Sequence, residues 1–375
     1  MPQSSGSPSN TNIDLEIDVE KRLGDFHIHA RFTTSSGVTA LFGPSGSGKS
    51  ALMAMISGLI HPDFGHIRAG STTLFDQTRR INIPAHKRRL GCVFQDSRLF
   101  PHMTVQRNML YSLWFSSDRA TTTQFEAVTD LLDVRELLDR RPADLSGGER
   151  QRVAIGRALL SNPHRLLMDE PLSALDRGRK NEILPYLERL RDEIRLPILY
   201  ISHALEEVMR LADSMALIDH GRIIDAGSVE SLTSRLKLQP WLERHEAGAV
   251  IETRVEEIDS TYCLSRVSFN GGSLFVPNLS ASVGALVRVR LRSRDISLAL
   301  EPPRNVSLLN ILFGHVSEIG QTEDANINVQ VQIGKTLVVA CVTRKAFEAL
   351  GITLGKPIYA LIKSMTLDQQ RYDDV

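Results

Sequence analysis

The chain has 375 residues, and its 44 Lys and Arg residues balance 44 Asp and Glu residues, so the formal net charge is zero. A balanced charge gives no indication of a nucleic acid or an anionic membrane surface as partner. Apolar residues make up 42 % and charged residues 23 %, which is typical of a soluble globular protein. The length predicts two or three domains.

The amino terminus and the cysteines indicate a protein of a reducing compartment. Residues 1–12 are polar and rich in Ser and Pro, without an apolar h-region, which predicts a disordered tail and not a secretory signal. Apolar runs such as 51–60 are far shorter than the roughly 20 residues that cross a bilayer. Cys92, Cys263 and Cys341 lack metal-ligand spacing and are predicted to be free thiols.

The first chemical motif lies at 43–50. An apolar run at 38–42 predicts a buried strand before it, and helical spacing over 49–59 predicts a helix after it. Such a loop surrounds one phosphate with backbone N–H groups and a positive helix end. Lys49 would reach the β- and γ-phosphates, and the Ser50 hydroxyl would bind Mg²⁺. The loop consists of Gly43, Pro44, Ser45, Gly46, Ser47, Gly48, Lys49 and Ser50.

Further elements follow with the alternation of an α/β domain. Apolar residues at helical spacing predict helices over 126–138 and 178–194. The segments 214–218 and 223–226 predict a β-hairpin. Strands that alternate with helices predict a mostly parallel sheet, and we expect this domain to cover 13–240.

A second motif, Leu-Ser-Gly-Gly-Glu-Arg-Gln-Arg at 145–152, assigns the family. Ser146 is a good helix N-cap, and Gly147 and Gly148 allow a backbone to approach a phosphate closely. Beside the phosphate loop, this motif resembles the signature of ABC-transporter ATPases, over roughly residues 13–235. The resemblance implies an α/β P-loop ABC-type ATPase domain, with a helical subdomain between Gln95 and Ser146.

The resemblance also implies the roles of several side chains. Asp169 would hold Mg²⁺ and Glu170 would polarise the attacking water. Gln95 resembles a neutral ligand that can leave Mg²⁺, His203 resembles the residue that contacts the γ-phosphate, and Asp176 lies in a D-loop-like turn. Catalysis is thus assigned to Lys49, Glu170 and His203, Mg²⁺ to Ser50, Gln95 and Asp169, and ATP contacts to 43–50 with Gln95, Ser146, Gly147, Gly148 and Asp176. Family members usually stack adenine on an upstream aromatic residue, for which Phe26 is the nearest candidate, at short spacing.

After residue 240 the pattern changes to short alternating strands. They are predicted at 286–291, 297–300, 327–333, 337–342 and 358–363. Residues 284–293 also align with 355–364, where a Gly is followed seven residues later by an aliphatic residue, a base and Ser. We interpret this as two β-modules, 241–303 and 304–370, with coincidence between two amphipathic strands as the alternative.

The residues after 240 indicate which group of ABC-transporter ATPases the chain resembles. Residues 307–316 open a segment similar to the molybdenum-binding Mop module, and 291–298 resemble the related TOBE tail of importer ATPases, both small OB-like β-domains. A Mop module behind an importer-type ATPase resembles the ATPase subunit of the molybdate importer. Ser307, Lys363 and Ser364 match Mop positions that bind oxyanion. Leu309 replaces a base often found there, so a tail that only joins two subunits is the alternative.

The resemblance implies a homodimer that binds ATP head to tail and hydrolyses it to drive import of molybdate, with tungstate as a second solute. The permease would dock near 95–103, at the cytoplasmic face of the cell (inner) membrane. A periplasmic or extracellular molybdate-binding protein would act indirectly, and no nucleic acid is expected. Import of sulfate, ferric iron or a polyamine is the alternative. A soluble ABC protein of translation or DNA repair is disfavoured, because each motif occurs once and no heptads are sustained.

Overall fold

The computed structural model describes residues 13–114, 122–194, 196–238, 241, 248–277, 279, 281–320, 325–364 and 368–372. The tail predicted at 1–12 lies outside these residues. The chain divides into two compact units, Met1–Gly227 and Ser228–Val375. This division falls before the boundary expected at residue 240, and the sequence-based domain boundaries stay predictions.

The first unit is built on one large mixed sheet. Among the described residues its strands follow the order β6-β5-β4-β1-β2-β11-β10-β3-β9-β8-β7. Strands β3, β9, β8 and β7 are mutually parallel, and β1, β2, β4, β5 and β6 pair in antiparallel fashion. The strands are β1 (Ile13–Leu23), β2 (Phe26–Ser35), β3 (Val38–Phe42), β4 (Phe64–Ala69), β5 (Thr72–Asp76), β6 (Ile81–Asn82), β7 (Leu90–Val93), β8 (Arg165–Asp169), β9 (Ile198–Ser202), β10 (Ser214–Asp219) and β11 (Arg222–Ser228).

Helices connect these strands, and a residue with left-handed backbone follows two of them, α1 and α3. Helix α1 begins after Gly48 and stops before Gly58, whose φ of 83° breaks the helix two residues before the predicted end. The helix expected over 126–138 ends early, because Asp133 has a φ of 50°. The helices are α1 (Lys49–Ser57), α2 (Val105–Leu110), α3 (Thr122–Leu131), α4 (Gly147–Leu159), α5 (Arg177–Ile194) and α6 (Leu205–Leu211).

The second unit contains two five-stranded antiparallel sheets, in the described residues, with the orders β14-β13-β12-β15-β21 and β16-β20-β17-β18-β19. All five predicted tail strands are present, and apolar side chains from both sheets form a common core. The elements are α7 (Val229–Thr233), β12 (Gly248–Asp259), β13 (Leu264–Phe269), β14 (Gly272–Pro277), β15 (Leu286–Arg292), β16 (Ile296–Ala299), β17 (Asn310–Ile319), β18 (Asn326–Ile333), β19 (Thr336–Thr343), α8 (Arg344–Ala349), β20 (Pro357–Ile362) and β21 (Asp368–Tyr372).

The two sheets have the same internal order, which supports the repeat seen in the sequence. Strands β12 to β15 correspond in order to β17 to β20, and Gly284 and Gly355, just before β15 and β20, both have positive φ. The last strand of each repeat is exchanged: β16 pairs with β20, and β21 pairs with β15. The aligned segments 284–293 and 355–364 therefore occupy equivalent places in two interlocked sheets.

Candidate functional site

The carboxyl ends of neighbouring parallel strands bring the predicted site residues together. Phe42 at the end of β3 pairs with Ser202 at the end of β9, and Asp169 at the end of β8 pairs with Ile201. Strand β7 lies beside β8, with Val93 paired to Met168. The loop 43–50, His203, the pair 169–170 and Gln95 therefore leave the sheet at one edge, where ligands of open α/β sheets bind.

The loop 43–50 has the backbone of a phosphate cradle. Gly46 and Gly48 have φ values of 80° and 101°, a region in which glycine is favoured. A Cβ on Gly43 would lie 2.0 Å from the carbonyl oxygen of Ile218, so only glycine fits there. The loop leads into the amino terminus of α1, whose free N–H groups favour an anion.

Lys49 is buried under this loop. Its Nζ donates hydrogen bonds of 2.9 Å to the carbonyl oxygens of Gly43 and Pro44. It also lies 3.6 Å from Oε1 of Glu170. Burial lowers the pKa of Lys49, and the charge of Glu170 opposes that shift. The ammonium group is therefore fixed between the loop and the acidic end of β8.

A hydroxyl and a carboxylate meet next to Lys49. The Ser50 Oγ donates a hydrogen bond of 3.1 Å to Oδ1 of Asp169. Burial raises the pKa of Asp169, while the bond from Ser50 and the charge of Lys49 act in the opposite direction. Hydroxyl and carboxylate oxygens are ligands that Mg²⁺ prefers. A cation at this point would stabilise the charged form of Asp169.

Glu170 is held in an unusual backbone conformation beside a histidine. Its φ is 44°, which costs energy for a residue with a Cβ and is often found at functional sites. Its N–H donates to the carbonyl oxygen of Ile201 at 2.9 Å, which fixes it to β9. The Nδ1 of His203 lies 3.1 Å from its Oε2. Lys49, Glu170 and His203 therefore form one contiguous group.

Gln95 is exposed at the start of a segment that the half-buried Arg157 holds. Arg157, on α4, donates to the carbonyl oxygens of Ser97 at 3.0 Å and Arg98 at 2.8 Å. Its guanidinium also covers the ring of Phe100 at 5.6 Å. No sequence pattern indicates this role, because Arg157 occupies an ordinary position on an amphipathic helix. The contact joins α4 to the predicted docking segment 95–103.

Ser146 caps α4, as predicted. Its Oγ accepts from the Glu149 N–H at 3.2 Å, and Oε2 of Glu149 accepts from the Ser146 N–H at 2.6 Å. Gly147 and Gly148 open the helix, close to the side chains of Leu175 and Ile183. Ser146, Gly147 and Gly148 do not belong to the group of site residues at the carboxyl ends of the strands in the same chain.

Asp176 and Phe26, two residues expected near ATP, lie in different surroundings. Oδ1 of Asp176 accepts from the Arg179 N–H at 3.1 Å, so Asp176 marks the start of α5. A Cβ on Gly48 would lie 3.1 Å from Cε1 of Phe26, so this ring packs against the phosphate loop. The Gly221 turn joins β2 to this loop, since the His29 N–H donates to the Gly221 carbonyl at 2.7 Å and the Gly221 N–H donates to the Ser47 carbonyl at 2.9 Å. The short sequence spacing did not suggest this proximity.

The residues predicted to bind oxyanion lie at one end of β17 and β20, where Asn310 pairs with Ile362. Ser307 is exposed before β17, and Lys363 and Ser364 follow β20. The buried Asn310 donates a hydrogen bond of 3.2 Å to Ser364 Oγ. Ser364 is therefore oriented by a neighbour.

Two family models match the chain. The model described as ABC transporter matches residues 30–173, and the TOBE domain model matches 307–368. The second match covers the module that we compared with Mop. Together they confirm an ABC-type ATPase followed by a small all-β domain, and they imply that the chain binds ATP.

Curated relatives match almost the whole chain. The molybdenum import ATP-binding protein ModC of Mesorhizobium japonicum is 46 % identical over 95 % of this chain and 96 % of its own. The chain belongs to the ModC family. ModC of Rhizobium etli is 43 % identical over 94 % of this chain and 99 % of its own, and ModC of Paramagnetospirillum magneticum is 44 % identical over 94 % and 97 %. These relatives do not favour the alternative of another solute.

Solved structures share the fold of the first part of this ModC family member. CbiO1 of Clostridium perfringens, part of the ABC transporter complex cbiONQ, covers 62 % of this chain and 97 % of its own, with a TM-score of 0.52 and 23 % identity. MJ1267, an ATP-binding cassette of an ABC transporter, covers 61 % and 98 %, with a TM-score of 0.52 and 24 % identity. None of the helices in the described residues is long and apolar enough to span a membrane.

Proposed function

We propose that this chain hydrolyses ATP to power the import of molybdate through a membrane permease. The observation that carries the proposal is the group of Lys49, Glu170 and His203 at the phosphate loop, in a chain whose ModC relatives match 95 % of its length. Tungstate, a similar tetrahedral oxyanion, is included as a second solute.

The loop 43–50 holds the phosphates of ATP. Its backbone N–H groups and the amino terminus of α1 offset their negative charge. Lys49 moves its donors from the loop carbonyls to the β- and γ-phosphate oxygens. Phe26 supplies the flat surface for adenine, a role supported by its position against Gly48.

Glu170 accepts the proton of the attacking water. Its carboxylate lies 3.6 Å from Nζ of Lys49 and 3.1 Å from Nδ1 of His203, beside the phosphate loop. His203 contacts the γ-phosphate and keeps the carboxylate in position. This arrangement supplies general-base catalysis, worth roughly 10²- to 10⁴-fold in rate.

Ser50 and Asp169 would hold Mg²⁺, with Gln95 as the ligand that withdraws when the site opens. The hydroxyl and carboxylate oxygens of Ser50 and Asp169 already lie 3.1 Å apart and fit the ion chemically. When bound, Mg²⁺ neutralises charge on the phosphate oxygens.

A second copy of the chain completes the site. The capped amino terminus of α4 has free N–H groups, and the Ser146 Oγ retains a proton to donate while it accepts from Glu149. In a head-to-tail homodimer, Ser146, Gly147 and Gly148 would cap the γ-phosphate held by the other copy, with Asp176 at the same interface. ATP would favour the closed dimer and hydrolysis would release it.

The permease docks on the segment 95–103. Its side chains mix apolar and basic groups, and Arg157 fixes its backbone to α4. The chain thus acts as a peripheral subunit at the cytoplasmic face of the inner membrane, and the molybdate-binding protein outside acts only through the permease.

Ser307, Lys363 and Ser364 bind oxyanion at the end of β17 and β20. The proposal is supported by the meeting of the two strand ends and by the hydrogen bond that orients Ser364. Calorimetric titration of molybdate into the full chain tests it. Binding that Ser364→Ala weakens supports the site, and no heat at millimolar molybdate refutes it.

The transport function is tested by cellular molybdenum in a strain that lacks this chain, at trace and at excess molybdate. We expect molybdenum to fall at trace supply and to recover at excess, or on expression of the wild type. Glu170→Gln should not restore it, whereas Glu206→Gln, an exposed carboxylate on α6, should. Unchanged molybdenum, with no second importer present, would refute the solute.

A further inference from the structure

A buried carboxylate that the proposed mechanism does not use lies directly behind the His203 loop. Glu207, on α6, is 3 % exposed, although a glutamate in the first turn of a helix usually faces solvent. Its Oε2 accepts hydrogen bonds of 2.9 Å from the hydroxyls of Tyr200 and Ser202. Its Oε1 accepts a hydrogen bond of 2.8 Å from Nζ of Lys180.

These contacts fix both sides of His203. Ser202, the residue before it, donates to Glu207 and accepts from the Ala204 N–H, the residue after it, at 3.0 Å. The loop 202–204 is therefore closed on itself and tied to α6. Burial, together with the charge of Glu207, raises the pKa of the Tyr200 phenol well above its ordinary value, so Tyr200 remains a donor.

The third contact reaches a second part of the site. Lys180 lies in the first turn of α5, and its N–H donates to the carbonyl oxygen of Asp176 at 3.0 Å. One carboxylate thus holds the loop that carries His203 and the helix that starts behind Asp176. Glu207 is a buried carboxylate that accepts hydrogen bonds from Tyr200, Ser202 and Lys180. Its removal or neutralisation would leave these donors without their acceptor, which is costly.

We propose that Glu207 is a positioning residue for ATP hydrolysis, which orients His203 through Ser202 and links that loop through Lys180 to the start of α5. This inference rests on the proposed role of His203. Glu207 contacts neither the phosphate loop nor Glu170. Its effect is therefore expected on the chemical step and not on ATP binding.

The test compares Glu207→Gln with Glu206→Gln, which makes the same charge change on the exposed side of the same helix turn. An amide keeps one acceptor oxygen and replaces the other with an N–H₂ donor, so it cannot accept from the two hydroxyls and from the Lys180 ammonium together, and the link between the loop 202–204 and α5 is broken. We expect kcat to fall about 10-fold or more in Glu207→Gln, with KM for ATP within about twofold, and no change in the control. A loss confined to KM would overturn the proposal, and so would an unchanged kcat.

A double-mutant cycle separates this proposal from the role of His203, with single-turnover assays to measure slow variants. Glu207→Gln should add little to the loss in His203→Ala, because it acts through that side chain. Full additivity with a slow His203→Ala overturns the Glu207 proposal alone. A fully active His203→Ala removes the role of His203 and this proposal with it. If Glu207→Gln does not fold, Ser202→Ala, which cuts the same link without a buried charge, should show a kcat loss in the same cycle.

Discussion

Arg88 is buried at the carboxyl end of the phosphate-loop helix α1. We expect its replacement by Met to lower the stability of the first unit, because the side chain makes several hydrogen bonds there. The side chain is 3 % exposed. Nη1 donates to the carbonyl oxygens of Met55 at 2.9 Å and Ile56 at 2.6 Å. Nε donates to the Ile83 carbonyl at 2.7 Å, and Nη2 donates to Asn82 Oδ1 at 3.0 Å. A positive group in this place also favours the negative end of α1.

The expected loss follows from the carbonyls that the change leaves unpaired. Met55 keeps a partner, because its oxygen also accepts from the Gly58 N–H at 3.2 Å. Ile56 and Ile83 lose theirs, and each unsatisfied carbonyl costs about 1 to 3 kcal/mol. Removal of a buried guanidinium also removes its desolvation cost, which offsets part of that sum. We expect Arg88→Met to destabilise the first unit by about 3 kcal/mol.

Calorimetry measures this change. The transition of the first unit is identified as the one that ATP shifts upward. About 3 kcal/mol corresponds to a midpoint lower by about 6 to 12 °C in a unit of this size. Arg31→Met is the control, since Arg31 is 82 % exposed and 3.6 Å from Asp18, and should change little. A loss below about 0.5 kcal/mol for Arg88→Met would refute the reasoning, since that is the range of an ordinary surface substitution.

Two further predictions concern the site, and a third concerns the reactivity of a thiol on β7. Glu170→Gln should retain ATP binding and lower hydrolysis by about 10²- to 10⁴-fold, and near-normal turnover would argue against a base at this position. Lys49→Ala should abolish ATP binding and hydrolysis together, as measured by equilibrium binding and phosphate release; retained affinity would contradict the phosphate loop. Burial raises the pKa of the Cys92 thiol to about 11, so alkylation should be slow at pH 8 and accelerate toward pH 11, whereas the exposed Cys263 should react first by mass spectrometry. Equal labelling of the two thiols at pH 8 would show that Cys92 is not buried.

Local patterns in the sequence predicted the parts of the site that depend on neighbours in the chain. The glycines of 43–50 need positive φ or close approach, and Ser146 with Glu149 forms a capping box, so both are visible in a few residues. The five tail strands that were predicted are short segments with alternating residue character. Strand β12 was missed because its exposed and buried residues alternate only over 251–256, between a continuous buried run at 248–251 and a bulge after Val255.

Features that depend on distant contacts could not be predicted. Phe26 reaches Gly48 because the turn at Gly221, far along the chain, hydrogen-bonds both to His29 on β2 and to Ser47 in the phosphate loop. Glu206 and Glu207 are the same residue type in adjacent positions, yet one is exposed and the other is buried against Tyr200. The packing of α6 on the sheet determines which of the two glutamates is buried, and the neighbouring residues in the sequence do not reveal that packing.

The exchange of β16 and β21 links the two β-repeats of the second unit to each other. The sheet of each repeat includes one strand from the other repeat, so deletion of either repeat removes a strand from the sheet that remains. A chain cut between the repeats would leave β15 and β20 with bare edges, which are templates for pairing with other molecules. The sheet of the first repeat is complete only when β21 pairs with β15, which lies more than 70 residues earlier in the chain. Contacts between residues so far apart in sequence form slowly, so we expect this pairing late in folding. Strand β21 is thus required to complete the sheet of the first repeat.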